Sequence, residues 1–209
     1  MAGEEQMKIG KPMQIALLIP IPWKNGGGIT RNLAVEPEGA DFDHFLWRLS
    51  FAEVNAAGRF STFPGVDRNI LVWKGNGLCL HSSNGVVSAI TSETESYAFH
   101  GEDEIEATLI DGPTIDLNLM VRRGLCTATV NRYRSEAVVT RNARQAFFLC
   151  ATGSFRLHFP CDKDYLLRAG ESLRVHHMNA GLKILPDTSD GSMVIVLIDW
   201  QESPAEMTS

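Results

Sequence analysis

The stretch NILVWKGNGLCLHS, residues 69–82, contains two short apolar runs on either side of a glycine turn. Residues 69–73 and 78–82 have the length and the apolar content of short β-strands. The turn KGNG between them supplies glycines for positive φ, so the stretch predicts a β-hairpin. A second turn, residues 83–85, is expected to join the second strand to VVSAI, residues 86–90.

Short runs of this kind recur along the chain, and helical periodicity is nearly absent. In the second half FFLCATGSFRLHFP, residues 147–160, repeats the form, with Thr152-Gly153 as its tight connection. The continuous apolar run at residues 193–200 is typical of a central strand that is covered on both faces. The chain is therefore predicted to be all-β. Two similar halves without a low-complexity linker suit a pair of jelly rolls that share a buried interface.

The composition excludes several classes of protein. The chain has 209 residues, a formal net charge of −6 and 44% hydrophobic residues, as in an ordinary folded protein. The acidic balance argues against a nucleic-acid partner, because such proteins concentrate Lys and Arg on one face. The first residues are acidic where a signal peptide is basic, and the apolar run at residues 13–21 is too short to span a bilayer. We therefore expect a cytoplasmic protein with no membrane partner.

The sequence contains no recognisable set of metal ligands and no catalytic nucleophile motif. The four cysteines lie far apart without a C-x-x-C pair, so neither a zinc site nor a disulfide framework is expected. We interpret them as small buried hydrophobic side chains. The six histidines do not cluster, and no G-x-S-x-G elbow occurs. We expect no metal, no cofactor and no catalytic residues.

Two of the predicted strands carry polar residues at alternate positions. Arg48 and Ser50 share one face of the first of these strands, and Asp116 and Asn118 share one face of the second. These side chains either line one cavity in the mouth of a barrel or face bulk water, since half-solvated antiparallel sheets are common. The pattern alone leaves both interpretations open.

The loop GRFSTFPGVDR, residues 58–68, ends on Arg68 at the entrance of the next strand. Its glycines and proline indicate a structured connection, and its two phenylalanines are able to bury it. The guanidinium fork of an arginine in such a position suits a carboxylate ligand, with which it makes two parallel hydrogen bonds. The alternative is a surface ion pair between Arg68 and Asp67 or Glu53.

Three consecutive glycines stand in PWKNGGGITR, residues 22–31. The block matches neither a P-loop nor the dinucleotide-binding fingerprint, because the lysine precedes the glycines and no helical pattern follows. The remaining alternatives are an anion-binding nest of backbone N–H groups and a plain turn. The candidate residues of this block are Trp23, Lys24, Asn25, Gly26, Gly27 and Gly28.

Five blocks resemble, in their order along the chain, the HutD/Ves family. They are residues 22–31, 47–54, 58–68, 97–105 and 111–124. The resemblance covers residues 14–125 closely, and the remainder matches only as a loose β pattern. It implies an all-β bicupin, with two jelly-roll β-barrels packed together in one chain. The N-terminal cupin barrel, residues 1–125, would carry the pocket, and residues 126–209 would form the C-terminal cupin barrel and a polar tail.

The resemblance also implies a role in bacterial histidine utilisation. Members are thought to bind a pathway intermediate such as N-formylglutamate or urocanate, and no established catalytic activity comes with the family. The family pocket is taken to include the arginine that corresponds to Arg68. From motif and strand face, we expect the same pocket to contain Trp23, Lys24, Asn25, Gly26, Gly27, Gly28, Arg48, Ser50, Asp116 and Asn118. Neither of the two cupin metal-binding motifs is present.

The first functional hypothesis is a non-catalytic protein that binds a small carboxylate and moderates histidine utilisation. In it, Arg68 clamps the carboxylate, while Asn118 and Ser50 contact a formyl or amide group. The second hypothesis is a metal-independent enzyme that acts on an acylated amino acid, with Asp116 or Glu53 as the general base.

The third hypothesis is a protein-interaction module whose shape depends on the ligand. The sequence does not separate this function from simple ligand binding. A homodimer that forms through an edge strand such as FRLHFP, residues 155–160, is a further hypothesis.

Overall fold

The computed structural model describes residues 6–24 and 26–200, and these residues form an all-β protein. The helical content of these ranges is one 3-10 turn, Ile15–Leu17. Within them, no helix has the length and apolar character needed to cross a membrane. The prediction of an all-β chain is confirmed.

The strands are numbered in chain order. The first ten in the described residues are β1 Lys8–Ile9, β2 Met13–Gln14, β3 Pro20–Pro22, β4 Gly28–Glu36, β5 Trp47–Val54, β6 Gly58–Arg59, β7 Val66–Lys74, β8 Leu78–Ser82, β9 Val87–Ile90 and β10 Tyr97–His100. The others are β11 Ile105–Leu109, β12 Thr114–Arg122, β13 Cys126–Tyr133, β14 Ala137–Val139, β15 Ala143–Thr152, β16 Ser154–Phe159, β17 Lys163–Arg168, β18 Glu171–Met178, β19 Leu182–Pro186 and β20 Ser192–Trp200.

The chain divides into two compact units. The first unit contains Leu18–Cys126, and the second contains residues 6–17 together with residues 127–200. The N-terminal strands β1 and β2 both pair with β18, which is why this segment belongs with the second unit. The sequence-based division at residue 125 assigned the same segment to the first unit.

Each unit contains a larger and a smaller antiparallel sheet. In the first unit the strand orders are β10-β7-β12-β5-β4-β3 and β6-β11-β8-β9. In the second unit they are β1-β18-β15-β20-β13, with β2 also on β18, and β14-β19-β16-β17. Strand β20 lies between β15 and β13, so the prediction of a central strand at residues 193–200 is confirmed.

The hairpin predicted at residues 69–82 is wrong. Strand β7 pairs with β10 and β12, whereas β8 pairs with β9 and β11 in the other sheet of the unit. Gly75 and Gly77, with φ of 97° and 123°, turn the chain from one sheet to the other. A Cβ on Gly77 would collide with the carbonyl oxygen of Ile90. The Thr152-Gly153 connection likewise leads from β15 to β16, which lie in different sheets, whereas the second predicted turn does join β8 to β9.

The segment FRLHFP is not an edge strand. Strand β16 pairs with β17 on one side and with β19 on the other, so its backbone groups already have partners. The outer strands of this sheet are β14 and β17. The hypothesis of a dimer through residues 155–160 is therefore corrected, because a paired strand offers no free edge.

Two of the cysteines are buried as expected. Burial raises the pKa of the Cys126 and Cys150 thiols to about 11 and about 12, which makes both thiols unreactive at neutral pH. Cys79 is half-buried, and Cys161 is exposed. The interpretation of all four cysteines as buried side chains is wrong for Cys161.

The core of each unit is made by residues of both its sheets. In the first unit Ile70 of the larger sheet shares a cluster with Leu80 of the smaller one. In the second unit Phe148 shares a cluster with Leu157 in the same way. The second unit has no buried charged side chain among its described residues. The buried charged side chains of the described residues are Arg48, Arg68 and Asp116, and all three belong to the first unit.

Candidate functional site

The predicted polar residues meet on one face of the larger sheet in the first unit. Met120 of β12 lies opposite Arg48 of β5 on one side and opposite Arg68 of β7 on the other. In the next row of this face, Asn118 lies opposite Ser50. Directly opposed residues project to the same side of a sheet, so the two arginines flank Met120 with their Cα atoms about 10 Å apart.

This polar face is the inner face of the unit. Asp116 lies opposite Val72, a residue of the core cluster that both sheets share. Arg48 and Arg68 are each only 7% exposed, and Asp116 is 2% exposed. The interpretation that these side chains face bulk water is therefore wrong, and the pattern of alternation does bring them together inside the unit.

Arg68 lies among three aromatic rings and two oxygen acceptors. Its Nε and Nη2 donate to Oδ1 of Asn118 over 3.4 and 3.3 Å, and its Nη1 donates to the carbonyl oxygen of Ser61 over 3.3 Å. The guanidinium carbon lies 4.8 Å from the ring centre of Phe99, and the rings of Phe60 and Phe63 are within 6 Å. Cation–π contacts of this kind favour a charged guanidinium.

Burial lowers the pKa of Arg68 to about 10, and the nearby Asp116 acts in the opposite direction. The guanidinium is therefore still protonated at neutral pH. The predicted alternative, a surface pair with Asp67 or Glu53, is wrong. Asp67 pairs with Arg123 over 2.7 Å, and Glu53 pairs with Arg31 on the opposite face of the sheet.

Arg48 has a neutral hydrogen-bond acceptor and an aromatic ring as neighbours. Its Nη2 donates to Oδ1 of Asn32, and its guanidinium carbon lies 4.2 Å from the ring centre of Phe42. Desolvation lowers the pKa of Arg48. The sequence reasoning missed both neighbours. Asn32 lies opposite Ser50 in the sheet, at the start of a β-bulge that interrupts the alternation of β4, and Phe42 belongs to a loop.

Asp116 is the single buried acid on this face within the described part of the chain. Its Oδ1 atom is buried and has no hydrogen-bond partner. Burial raises its pKa to about 7, with Arg68 acting in the opposite direction. At neutral pH this carboxyl group is thus present in both protonation states. The protonated form donates a hydrogen bond, and the ionised form only accepts.

The glycine block is a turn between β3 and β4. The N–H of Trp23 donates to the carbonyl oxygen of Gly28 over 2.9 Å, and the N–H of Gly26 donates back to the carbonyl oxygen of Trp23 over 3.0 Å. The carbonyl oxygen of Gly27 accepts from the N–H of Asn55. These bonds favour the plain turn over the anion nest, because the Gly26 N–H group already has an acceptor.

The side chains of this turn lie in different environments. The indole Nε1 of Trp23 donates to Oγ1 of Thr30 over 2.7 Å, and the ring packs against the core cluster of the unit. Lys24 is exposed, and no contact described for it reaches either buried arginine. The predicted residue Asn25 lies outside the described residues. Within this block, Trp23 is the side chain that joins the interior of the unit.

Gly28→Ala is expected to lower the free energy of unfolding by about 1–3 kcal/mol, as overpacking does elsewhere. A Cβ at Gly28 would collide with the carbonyl oxygen of Glu53 and lie 2.9 Å from the Trp23 ring. The Glu53 carbonyl belongs to the backbone of a paired strand, which cannot move aside as a flexible side chain can. Urea unfolding should measure the loss, with Gly58→Ala as the control, because a Cβ at Gly58 meets nothing within 4 Å. Equal stability of the two variants would contradict the close packing at Gly28.

The polar face is poorly suited to a metal ion. Among residues 6–24 and 26–200, no group of three or more His, Cys, Asp or Glu side chains is placed to hold an ion. The polar face contains two guanidinium groups, which donate hydrogen bonds to anions and repel metal cations, and Asp116 is its one acid among the described residues. Its chemistry therefore suits an anionic ligand.

Comparison with known proteins places the chain in a family. A family model described as HutD matches residues 18–191. The chain is 30% identical over 179 residues to Protein Ves of Citrobacter koseri, which covers 85% of this chain and 88% of the relative. It is 39% identical over 100 residues to an uncharacterised 21.2 kDa protein in the hutC 3′ region of Pseudomonas putida, covering 48% of this chain and 52% of that protein.

Solved structures agree with this placement. A conserved protein of unknown function from Pseudomonas aeruginosa PAO1 superimposes with a TM-score of 0.80 at 26% identity, over 93% of this chain and 100% of that one. HutD from Pseudomonas fluorescens SBW25, in a formate condition, gives a TM-score of 0.78 at 24% identity with the same coverage. A cupin 2 conserved barrel domain protein from Leptotrichia buccalis gives 0.58 at 10% identity, over 92% and 98% of the two chains, which shows a cupin-like fold. The chain therefore belongs to the HutD/Ves family.

Proposed function

We propose that this protein binds a small carboxylate on the polar face of its first unit and thereby moderates histidine utilisation in the cytoplasm, without turning the ligand over. The HutD family is linked to histidine utilisation. The observation that carries the proposal is the pair of buried arginines. Each is 7% exposed, and neither belongs to an ion pair among the described residues.

The charge balance of the face supports an anionic ligand. Burying an arginine without a paired anion costs several kcal/mol, so such groups are retained where a ligand supplies the missing charge. Within the described ranges Asp116 is the one buried acid on this face, and at neutral pH it is only partly ionised. Two guanidinium groups therefore face a site with less than one compensating negative charge.

The hydrogen-bonding groups between the arginines support the same class of ligand. Among the described residues, the hydrogen bond of Arg48 is the one to Asn32, so the guanidinium has further N–H donors for a ligand. The amide of Asn118 and the hydroxyl of Ser50 lie in the adjacent row. We assign to them the contact with a formyl or amide group, and to Arg68 the clamp on the carboxylate.

We also propose that the two units are the two jelly-roll barrels of a bicupin, of which only the first binds ligand. The cupin-like structural neighbour supports this arrangement. The buried core cluster of the second unit is apolar and contains Phe148, Leu157 and Ile195. We infer that this unit has a structural role.

A second candidate function is a metal-independent enzyme that acts on an acylated amino acid. The observation in its favour is Asp116, whose pKa of about 7 is suited to general base catalysis near neutral pH. Glu53, the other acid considered for this role, lies on the opposite face of the sheet and pairs with Arg31. Incubation of N-formylglutamate with stoichiometric protein, followed by mass spectrometry, tests this alternative, since any product would favour it.

Thermal unfolding with N-formylglutamate, urocanate, formate and glutamate tests the proposed function. A ligand at one hundred times its Kd should stabilise the folded protein by about 2.7 kcal/mol, which raises Tm by roughly 5–10 °C for a chain of this size. In Arg68→Met we expect this shift to disappear for every member of the panel. The substitution is expected to leave the fold intact, because a buried arginine without an ion pair is replaced by a side chain of similar volume.

Arg168→Met is the matched control. It removes the same charge from an exposed position of the second unit, so its ligand shift should equal that of the wild type. A carboxylate that raises Tm equally in wild type and Arg68→Met would remove Arg68 from the site. If none of the carboxylates raises Tm, the protein-interaction module is favoured over the binding protein.

A further inference from the structure

Two stacked phenylalanines cover the arginines of the polar face. The ring centres of Phe42 and Phe63 are 5.3 Å apart, with 30° between their planes. The ring of Phe42 lies 4.2 Å from the guanidinium carbon of Arg48, and the ring of Phe63 lies 5.7 Å from that of Arg68. Each arginine thus has one ring of the stacked pair as its neighbour.

The backbone that carries Phe42 is held in place. Arg122 donates from Nε to the carbonyl oxygen of Phe45 over 3.1 Å, and from Nη2 to the carbonyl oxygens of Phe42 and Asp43. The side chain of Phe45 is 1% exposed and belongs to a buried cluster with Met120. This loop is therefore anchored by one buried ring and by three backbone hydrogen bonds.

The side chain of Phe42 is held much less firmly than its backbone. It is 49% exposed, and its described ring contacts are the stack with Phe63 and the contact with Arg48. Rotation about χ1 would break these two weak contacts while the Arg122 bonds stay intact. Exposed side chains change rotamer within picoseconds to nanoseconds.

Phe63 is the fixed partner of the pair. Its N–H donates to the carbonyl oxygen of Gly101 over 2.7 Å, and its carbonyl oxygen accepts from the N–H of Val66. Its side chain packs against the same buried cluster as Phe45. A Cβ on Gly101 would collide with the carbonyl oxygen of Phe63, so the two segments are in close contact.

We propose that the Phe42 ring is a gate on a fixed frame, which swings away from Phe63 to admit a carboxylate ligand to the face between Arg48 and Arg68 and then closes over it. This inference rests on the proposed function. Arg48 as a whole residue is only 7% exposed, so we expect a covering group to move when a carboxylate forms two hydrogen bonds to its guanidinium. Of the covering rings, Phe42 is the most exposed, at 49%.

Labelling with phenylglyoxal, a reagent for arginine side chains, tests the gate without any ligand. The rate at Arg48 is followed by mass spectrometry of its peptide, at a temperature well below the unfolding midpoint of each variant. If the closed state dominates, with an open population of about 10% or less, Phe42→Ala should raise this rate at least about tenfold. Phe42→Trp, which keeps an aromatic cover, should label as slowly as the wild type.

Two controls separate the gate from general loosening. The exposed Arg168 should be labelled at one rate in all variants, and Leu125→Ala, which trims a 58% exposed side chain of the same unit, should leave the rate at Arg48 unchanged. An unchanged rate at Arg48 in Phe42→Ala would overturn the gate. So would an equal acceleration at Arg48 in Leu125→Ala.

The result of the labelling experiment is independent of the result of thermal unfolding with the carboxylates. If labelling of Arg48 is unchanged in Phe42→Ala while a carboxylate still raises Tm, the gate is wrong and the proposed function stands. If labelling accelerates as expected but no carboxylate raises Tm, the proposed function fails and the ligand gate fails with it, which leaves Phe42 as a cover only.

Discussion

At pH 8, Asp116→Asn is expected to raise the free energy of unfolding by about 4 kcal/mol relative to the wild type. The carboxyl group is 2% exposed, its Oδ1 lacks a hydrogen-bond partner, and burial raises its pKa to about 7. Ionising it inside the unit is therefore costly. Asparagine has the same shape and carries no charge at any pH.

The sign of the effect follows from proton binding. The pKa of an aspartate in an unfolded chain is about 3.9, so between pH 4 and pH 7 the folded state binds more protons than the unfolded state. The stability that this group contributes is complete below about pH 4 and is lost as the pH rises toward 7. The difference between Asp116→Asn and the wild type should therefore be near zero at pH 4 and reach its full size above pH 7.

Urea unfolding of both proteins at pH 5, 6, 7 and 8 measures this difference directly. Asp190→Asn is the control for the replacement itself, because it makes the same change of side chain at an exposed position of the second unit. A difference between Asp116→Asn and wild type that does not grow with pH would contradict the raised pKa. A variant that is less stable than the wild type at pH 8 would show that ionised Asp116 stabilises the fold through Arg68.

Phe148→Ala is expected to lower the free energy of unfolding by about 3–5 kcal/mol. The side chain is fully buried in the apolar cluster of the second unit, where its ring meets that of Phe159 edge to face at 6.1 Å. The truncation removes a large apolar group and leaves a cavity among residues of two sheets, which relax only partly. The loss should appear as a lower midpoint in urea at an unchanged m-value.

The matched control is Val138→Ala in the same unit. Its side chain is 49% exposed, so the change in stability should stay within about 0.5 kcal/mol. A loss below 1 kcal/mol in Phe148→Ala would mean that the second unit tolerates a void. The inference that this unit has a structural role would then lose its basis.

The alternation of residues along single strands predicted correctly which polar residues share a face. Arg48 and Ser50 do share a face, as do Asp116 and Asn118, because the side-chain period of a strand is two. The pattern did not reveal that these faces point inward, since that depends on which strands pair. The register of β12 with β5 and β7 decides it and places Arg48 and Arg68 on either side of Met120.

The sequence pattern did not indicate which residues contact Arg48. Asn32 stands in a strand whose bulge breaks the alternation, and Phe42 comes from a loop whose course Arg122 sets through backbone carbonyls. In the glycine block the sequence left two alternatives open, an anion nest and a plain turn. A lysine beside three glycines suggested an anion site, but Lys24 is exposed and the Gly26 N–H closes the turn.

Strand length, apolar content and turn glycines are local properties, so the sequence alone identified an all-β chain, several of its longer strands and its central strand. Only the tertiary structure decided that the turn at residues 75–77 passes from one sheet to the other. Both the hairpin and the crossing use glycines with positive φ, and the choice depends on the partners of β7 and β8, which are distant in sequence. The same holds for the charges of Arg68 and Asp116, whose pKa values are shifted by burial between two sheets and by each other.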